Sequence, residues 1–373
     1  MYVTCIQPQL LSAVQKVYRA IAPTSTMPAL SGILLTAAEG KLTFHATDLE
    51  IGIIFSLEAE IHEEGELLLP ARIFSDLIRH LPPLEIEIKG NPASLVSISY
   101  QQSRAELYSL DPNQFPSPPQ PAETASFKIS AEEFKNSVKK VGIAAGTEDL
   151  RSIYHGVLWE VDPETKSFTM VATDTHRLAL YRGKIDPLQL ATPVAPIIPH
   201  KALQELSRLL PAEDTEVVFS LGTNQAFAQV ENLTFYTRLL SGQFPPYRQV
   251  LPTGFLTEVK LPTDELTLAV ERATILARDD TKLRSSIIHL EIGKTFKLLS
   301  QTPEVGQLEE ELAAEISGRS LEVALNGRYL LDALKVIEEE KVALKLNESL
   351  KPVVVQPQDA DNYFCLILPV RIG

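Results

Sequence analysis

One segment is written three times in this chain, and the repetition constrains the fold more than any single motif. Val3-x-Cys5-x4-Leu10-x3-Val14-x2-Val17 recurs as Phe127-x-Ile129-x4-Phe134-x3-Val138-x2-Val141 and as Val259-x-Leu261-x4-Leu266-x3-Val270-x2-Ala273. A period-2 pair followed by apolar residues at i, i+4 and i+7 predicts a strand that enters an amphipathic helix with one buried face. The copies start about 130 residues apart, too far for a solenoid unit and right for a whole domain. A second helix repeats in step: Pro70-x3-Phe74-x2-Leu77-x3-Leu81, Pro199-x3-Leu203-x2-Leu206-x3-Leu210 and Asn326-x3-Leu330-x2-Ala333-x3-Ile337. In two copies a Pro stands at the helix start, where its missing N–H costs nothing. The repeat ends align at Leu110, Leu239 and Leu368, and the first two run into Gln114-Phe115-Pro116 and Gln243-Phe244-Pro245. Three domains are therefore expected, over residues 1–120, 121–250 and 251–373.

Between the helices, alternating apolar runs are broken by Ala37 to Lys41, Asp162 to Lys166 and Ile292-Gly293-Lys294, which predict hairpin turns. Long helix-free stretches of strand point to an α+β fold, with two helices per repeat packed on antiparallel sheets, rather than to alternating βαβ units. The two cysteines, Cys5 and Cys365, fall in strand patterns and read as buried thiols. No apolar run reaches the roughly 20 residues of a spanning helix, and Met1-Tyr2-Val3-Thr4 shows no leader pattern, so a cytoplasmic protein without membrane contact is expected.

A net charge of −14 argues against a polyanionic partner until its distribution is considered. The two helices of repeat one carry Lys16, Arg19, Arg72 and Arg79, and those of repeat two carry Lys135, Lys139, Lys140, Lys201 and Arg208. Set against their acids, these four segments sum to +5, so acidic side chains concentrate elsewhere. A plain solvated helix face and a surface for phosphate backbone both fit that pattern.

Catalytic motifs dissolve on inspection. Gly293-Lys294-Thr295 lacks the upstream glycine of a phosphate loop, since Ile288 stands there, and no zinc-ligand spacing or Gly-x-Ser-x-Gly elbow occurs. No metal and no cofactor are expected. One segment remains, Val171-Ala172-Thr173-Asp174-Thr175-His176-Arg177-Leu178, in which Asp174 and His176 could serve a hydrolase as orienting acid and general base. Repeat one provides a control: Ala46-Thr47-Asp48 ends the corresponding strand with neither His nor Arg after it. Ala-Thr-Asp thus reads as a turn scaffold, and His176-Arg177 as the special part, better suited to binding than to catalysis. A repeat scaffold that binds only proteins is the other alternative.

On three aligned repeats, Ala-Thr-Asp-x-His-Arg-Leu in the second, Phe-Pro-x-Tyr-Arg over Phe244 to Arg248 and a terminal Pro-x-Arg-hydrophobic over Pro369 to Ile372, the chain resembles the bacterial DNA polymerase III beta subunit, the replicative sliding clamp, over its whole length. The resemblance implies a non-catalytic, head-to-tail homodimeric ring of six similar domains with the DNA clamp fold. Helices would line the hole around double-stranded DNA, which is held without regard to sequence. It also implies partners that insert short linear peptides: the polymerase III alpha subunit, the clamp loader, and other polymerases and repair proteins. The positions it assigns to their pocket are Arg151, Tyr154, Thr173, Thr175, His176, Arg177, Leu178, Pro245, Val250, Pro352, Leu366, Ile367, Leu368, Pro369, Val370 and Arg371. Leu107, Ile275 and Leu276 match the protomer interface, where a commonly aromatic position is Ala105. A sliding protein needs diffuse positive charge against phosphates and no base readout, and the basic helices supply it.

Overall fold

A computed structural model describes the chain except for residues 23, 25, 121–124, 147–151, 213–214, 278–285, 303–305 and 372–373. Each repeat has its two helices: α1 (Gln7–Val17) and α2 (Ala71–His80), α3 (Ala131–Gly142) and α4 (His200–Leu209), α5 (Thr263–Leu276) and α6 (Gly327–Leu334). The period-2 pairs sit on strands Tyr2–Ile6, Ser126–Ser130 and Thr257–Pro262, each leading directly into a helix. Leu10, Val14 and Val17 of α1 are fully buried, as are Leu266, Val270 and Ala273 of α5. Burial of each leucine or valine contributes about 1.5–3 kcal/mol. Among the described residues every paired strand is antiparallel, in agreement with the long helix-free stretches; for example Tyr2–Ile6 pairs with Glu85–Lys89, and Lys41–Thr47 with Ile51–Glu58.

The expected turns are present. Strands Gly32–Ala38 and Lys41–Thr47 are joined by Glu39 (φ 52°) and Gly40 (φ 74°), the doubly left-handed pair that matches strand twist in a tight hairpin. Gly293-Lys294-Thr295 closes the hairpin between Ile287–Ile292 and Phe296–Thr302, with Gly293 N–H donating to the Thr295 carbonyl at 3.0 Å, so the triplet is a turn and not a phosphate loop.

Compactness does not follow the repeat boundaries. The chain forms two units: Met1–Glu132 with Asp186–Ala191 and Glu205–Leu239, and Glu133–Ile185 with Thr192–Gln204 and Leu240–Gly373. The reason is that sheets run through the repeats. In the first unit a nine-stranded sheet is continuous because Leu233–Arg238 of repeat two pairs with Ile51–Glu58 of repeat one. Gly52 permits that joint, since a Cβ there would stand 1.9 Å from the ring of Tyr236, whose hydroxyl meets buried His45 Nε2 at 2.8 Å. A five-stranded sheet completes this unit and ends in the edge strand Ser103–Tyr108. In the second unit another nine-stranded sheet is joined where Arg177–Lys184 of repeat two pairs with Tyr363–Ile367 of repeat three. A four-stranded sheet ends in the edge strand Gly306–Leu312. Both cysteines are buried and unbridged, and burial pushes each thiol up to about 12.

Candidate functional site

The Thr173-to-Arg177 turn is built from its own sequence. Asp174 Oδ1 accepts the backbone N–H groups of His176 (3.0 Å) and Arg177 (2.9 Å), Thr173 Oγ1 donates to the Arg177 carbonyl (2.7 Å), and Thr175 takes φ 77°. Repeat one folds the same way: Asp48 Oδ1 accepts from Glu50 (2.9 Å) and Ile51 (2.7 Å), Thr47 Oγ1 donates to the Ile51 carbonyl (2.7 Å), and Leu49 takes φ 75°. Ala-Thr-Asp is therefore turn chemistry, an Asp side chain satisfying the backbone two and three residues on.

What distinguishes the second turn is Arg177. Its Nε donates to Asp174 Oδ2 (3.0 Å), one terminal nitrogen donates to Asp332 Oδ2 of α6 (2.6 Å), and the guanidinium lies 4.3 Å from the centre of the Tyr329 ring. The His176 ring stacks on the same tyrosine, at 6.2 Å and 25°. Two consequences follow. Asp174 is committed to two amides and a guanidinium, so it is not an orienting acid for His176 and no hydrolytic dyad is assembled. Arg177 is already neutralised by two carboxylates, so it braces the turn against α6.

The turn forms one wall of a cleft of about 250 Å³ lined by Tyr154, Thr173, Thr175, His176, Arg177, Leu178, Pro245, Pro246, Tyr247, Gln249, Val250, Leu366 and Leu368. Ten of the sixteen residues assigned to a pocket from sequence meet there. Leu178 and Leu366 lie on the floor, packed with Leu158, Val171, Phe244 and Tyr247. Val250 and Leu368 stand on the walls with 52% and 41% of their surface open to solvent. Tyr247 is fixed by its hydroxyl, which donates to Glu160 Oε2 at 2.7 Å; a terminal nitrogen of Arg248 donates to the same oxygen at 2.6 Å. A preformed apolar floor, apolar walls and a few polar groups suit the capture of apolar side chains from an extended segment. Larger hollows of about 560 and 500 Å³ are shallow and flanked by Glu39, Glu58, Glu60 and Glu85, and by Glu291, Lys294 and Glu322, without such a floor.

Five of the remaining sequence assignments do not line the cleft. Ile367 is fully buried on the opposite face of its strand, because alternation sends it away from Leu366. Pro352, Pro369, Val370 and Arg371 lie outside it, and Val370 N–H instead donates to the Ala324 carbonyl at 2.9 Å. Arg151 lies outside the described residues. Missed from sequence were Pro246, Tyr247 and Gln249, which share one short turn with Pro245 and Val250, and Tyr329 and Asp332, whose i, i+3 spacing on α6 carries no signal of a partner in repeat two.

The helix cations divide. Arg72 and Lys201 are exposed, Lys135 is half-buried, and Lys16 lies 3.9 Å over the Phe55 ring, its pKa lowered by desolvation. Arg79 pairs with Asp76, Arg19 and Arg208 share Glu205, and exposed Lys139 meets Glu338 at 2.6 Å. Lys140 is a correction: it is 4% exposed, 3.6 Å from Glu339 and 5.7 and 5.5 Å from the rings of Tyr181 and Tyr363, so it belongs to the core and not to an open helix face. The helical period puts it there, one position past exposed Lys139. Leu107 and Leu276 are half-buried, and Ile275 is 71% exposed at the end of α5. Among the described residues no cluster of three metal-ligating side chains occurs and no helix is long and apolar enough to cross a membrane.

Comparison with known proteins gives three consecutive family matches. Residues 1–119 match the N-terminal domain of the DNA polymerase III beta subunit, 128–246 its central domain and 248–371 its C-terminal domain. The beta sliding clamp of Staphylococcus epidermidis is 31% identical over 363 residues, covering 95% of this chain and 94% of that protein. The solved structure of the DNA polymerase sliding clamp from Bacillus subtilis superposes with a TM-score of 0.95 at 29% identity. That of the Pseudomonas aeruginosa clamp with ligand gives 0.93 at 31%; both cover all of this chain and all of theirs.

Proposed function

The chain belongs to the DNA polymerase III beta-subunit family of sliding clamps, and we propose from that membership and from the cleft how its residues divide the work between DNA, partner and second copy. It serves as a processivity clamp in DNA replication, without catalysis of its own, and its partners are DNA and polymerase.

Two copies close head to tail into a ring around double-stranded DNA in the cytoplasm. The edge strand Ser103–Tyr108 with Leu107 meets the end of α5, carrying Ile275 and Leu276, of the other copy. The exposed helix cations, Arg19, Arg72, Arg79, Lys139, Lys201 and Arg208 with Lys16 and Lys135 behind them, face phosphate. Topology keeps the ring on DNA, so the grip need only be weak and indifferent to sequence.

The cleft takes a short linear peptide from the polymerase alpha subunit, the clamp loader and other replication and repair proteins. The observation that carries this is the cleft's composition: a buried Leu178–Leu366 floor beneath half-open Val250 and Leu368, with Arg177, the cation among the described lining residues, already neutralised. Apolar anchors should therefore supply most of the binding energy. Titration of a labelled partner peptide against the full chain and against Val250→Ala/Leu368→Ala tests it. The double variant should bind at least tenfold more weakly, and His176→Ala less than tenfold. Undiminished affinity in the double variant would refute the pocket.

A further inference from the structure

Many of the cations placed on the DNA-facing helices are not free. Among the described residues, Glu205 on α4 stands between two of them, 3.1 Å from an Arg19 terminal nitrogen and paired with Arg208 one turn along its own helix. In the other unit, Glu338 beyond α6 receives the Lys139 ammonium at 2.6 Å. This hydrogen bond, followed by the charge of Lys139 itself, holds the Glu338 carboxyl below the usual range. Arg19, Arg208 and Lys139 are about half exposed as side chains, and each reaches its carboxylate through a flexible stem. The two arrangements involve different helices and have the same result: a carboxylate occupies the site where a phosphate oxygen would bind.

Resting on the reading of these helices as the DNA face, we propose that Glu205 and Glu338 act as intramolecular phosphate substitutes that set how weakly this chain holds duplex DNA. A cation that must leave its own carboxylate to meet a phosphate gains little net neutralisation and releases fewer condensed counterions, so it adds little to affinity or to salt dependence. Such a surface holds DNA without binding it in one register. Arg72 and Lys201 are exposed on α2 and α4 and provide the residual attraction. Replacing either carboxylate by its amide keeps a hydrogen-bond acceptor for the cation and removes the competing charge.

The test compares the full chain with Glu205→Gln/Glu338→Gln by fluorescence anisotropy on a mixed-sequence duplex from 0.05 to 0.3 M NaCl. Glu216→Gln/Glu309→Gln is the control for net charge, because it too removes two carboxylates, and these pair with Lys128 at 2.7 Å and Lys297 at 2.6 Å on sheets and not on helices. Freeing Arg19, Arg208 and Lys139 should steepen the slope of log affinity against log salt by roughly 2 and tighten binding at 0.1 M salt by on the order of tenfold or more. The Glu216→Gln/Glu309→Gln control should match the parent. Equal affinity and slope in the double variant and the control overturn the proposal. Arg19→Glu/Lys139→Glu separates this failure from failure of the DNA-face reading. If that reversal weakens binding while the amides change nothing, only the phosphate-substitute role falls; if it too changes nothing, the helices do not face DNA and both fall.

Discussion

Asp174→Asn tests the division of labour at the cleft, because the same turn occurs in repeat one without its arginine. An asparagine keeps Oδ1 for the His176 and Arg177 amides but turns an NH₂ toward Arg177 Nε, a donor facing a donor. The Asp174 and Arg177 side chains are each 11% exposed, so solvent replaces the lost charged hydrogen bond poorly. A bond of that kind contributes about 1.5–3 kcal/mol; loss of about 2 kcal/mol raises the population of the opened turn roughly thirtyfold. Asp48→Asn loses nothing comparable, because no cation pairs with Asp48 among the described residues and its Oδ1 bonds survive. Native-state hydrogen exchange reads both sites through the amides of Arg177 and Ile51. Asp174→Asn should speed exchange at Arg177 on the order of thirtyfold, and Asp48→Asn should change Ile51 by less than about threefold. Equal acceleration at the two sites would refute the claim that Arg177 braces the second turn. So would an effect of His176→Ala on the turn as large as that of Asp174→Asn.

Three other outcomes are expected. Lys140→Met should change stability by no more than about 1 kcal/mol or improve it, and leave duplex affinity unchanged, since an apolar chain suits a site between two tyrosines; denaturant unfolding and anisotropy check this. On the interface proposed above, Ile275→Ala/Leu276→Ala should shift sedimentation toward the monomer, because each of these side chains would contribute about 1.5–3 kcal/mol on burial by a second copy. His45 is buried and its pKa is pushed down to about 4 by desolvation. The unfolded chain then binds a proton more readily between about pH 6.5 and 4. Stability of the first unit should fall as pH drops through that window, by up to about 3 kcal/mol, and calorimetry on His45→Gln should show a flatter pH dependence.

The repeat made most of the fold legible. Strand-then-helix periodicity and its second repeated helix located the six α-helices of the described residues, and turn residues located the hairpins, because both signals are local. Comparing Asp48 with Asp174 identified the scaffold within the one segment that looked catalytic, and the two turns share their hydrogen bonds. Pairing across repeats was not legible. Nothing local in Leu233–Arg238 announces Ile51–Glu58 as its neighbour, so the continuous sheets, and with them two compact units, emerge only in three dimensions. The same limit hid Tyr329 and Asp332, which meet Arg177 from 152 and 155 positions along the chain. It also hid the carboxylates at Lys139 and Arg19. Lys140 and Ile367 were misread for a simpler reason. Each sits next to an open residue, Lys139 or Leu368, and one step of helix or strand turns it inward.

The central claim is that the chain holds DNA by encirclement. Loaded onto a closed circular duplex and freed of unbound protein, it should stay bound at moderate salt and be released when a single double-strand cut gives it an end to slide off. Equal retention on the circle and on the cut linear duplex would contradict the account.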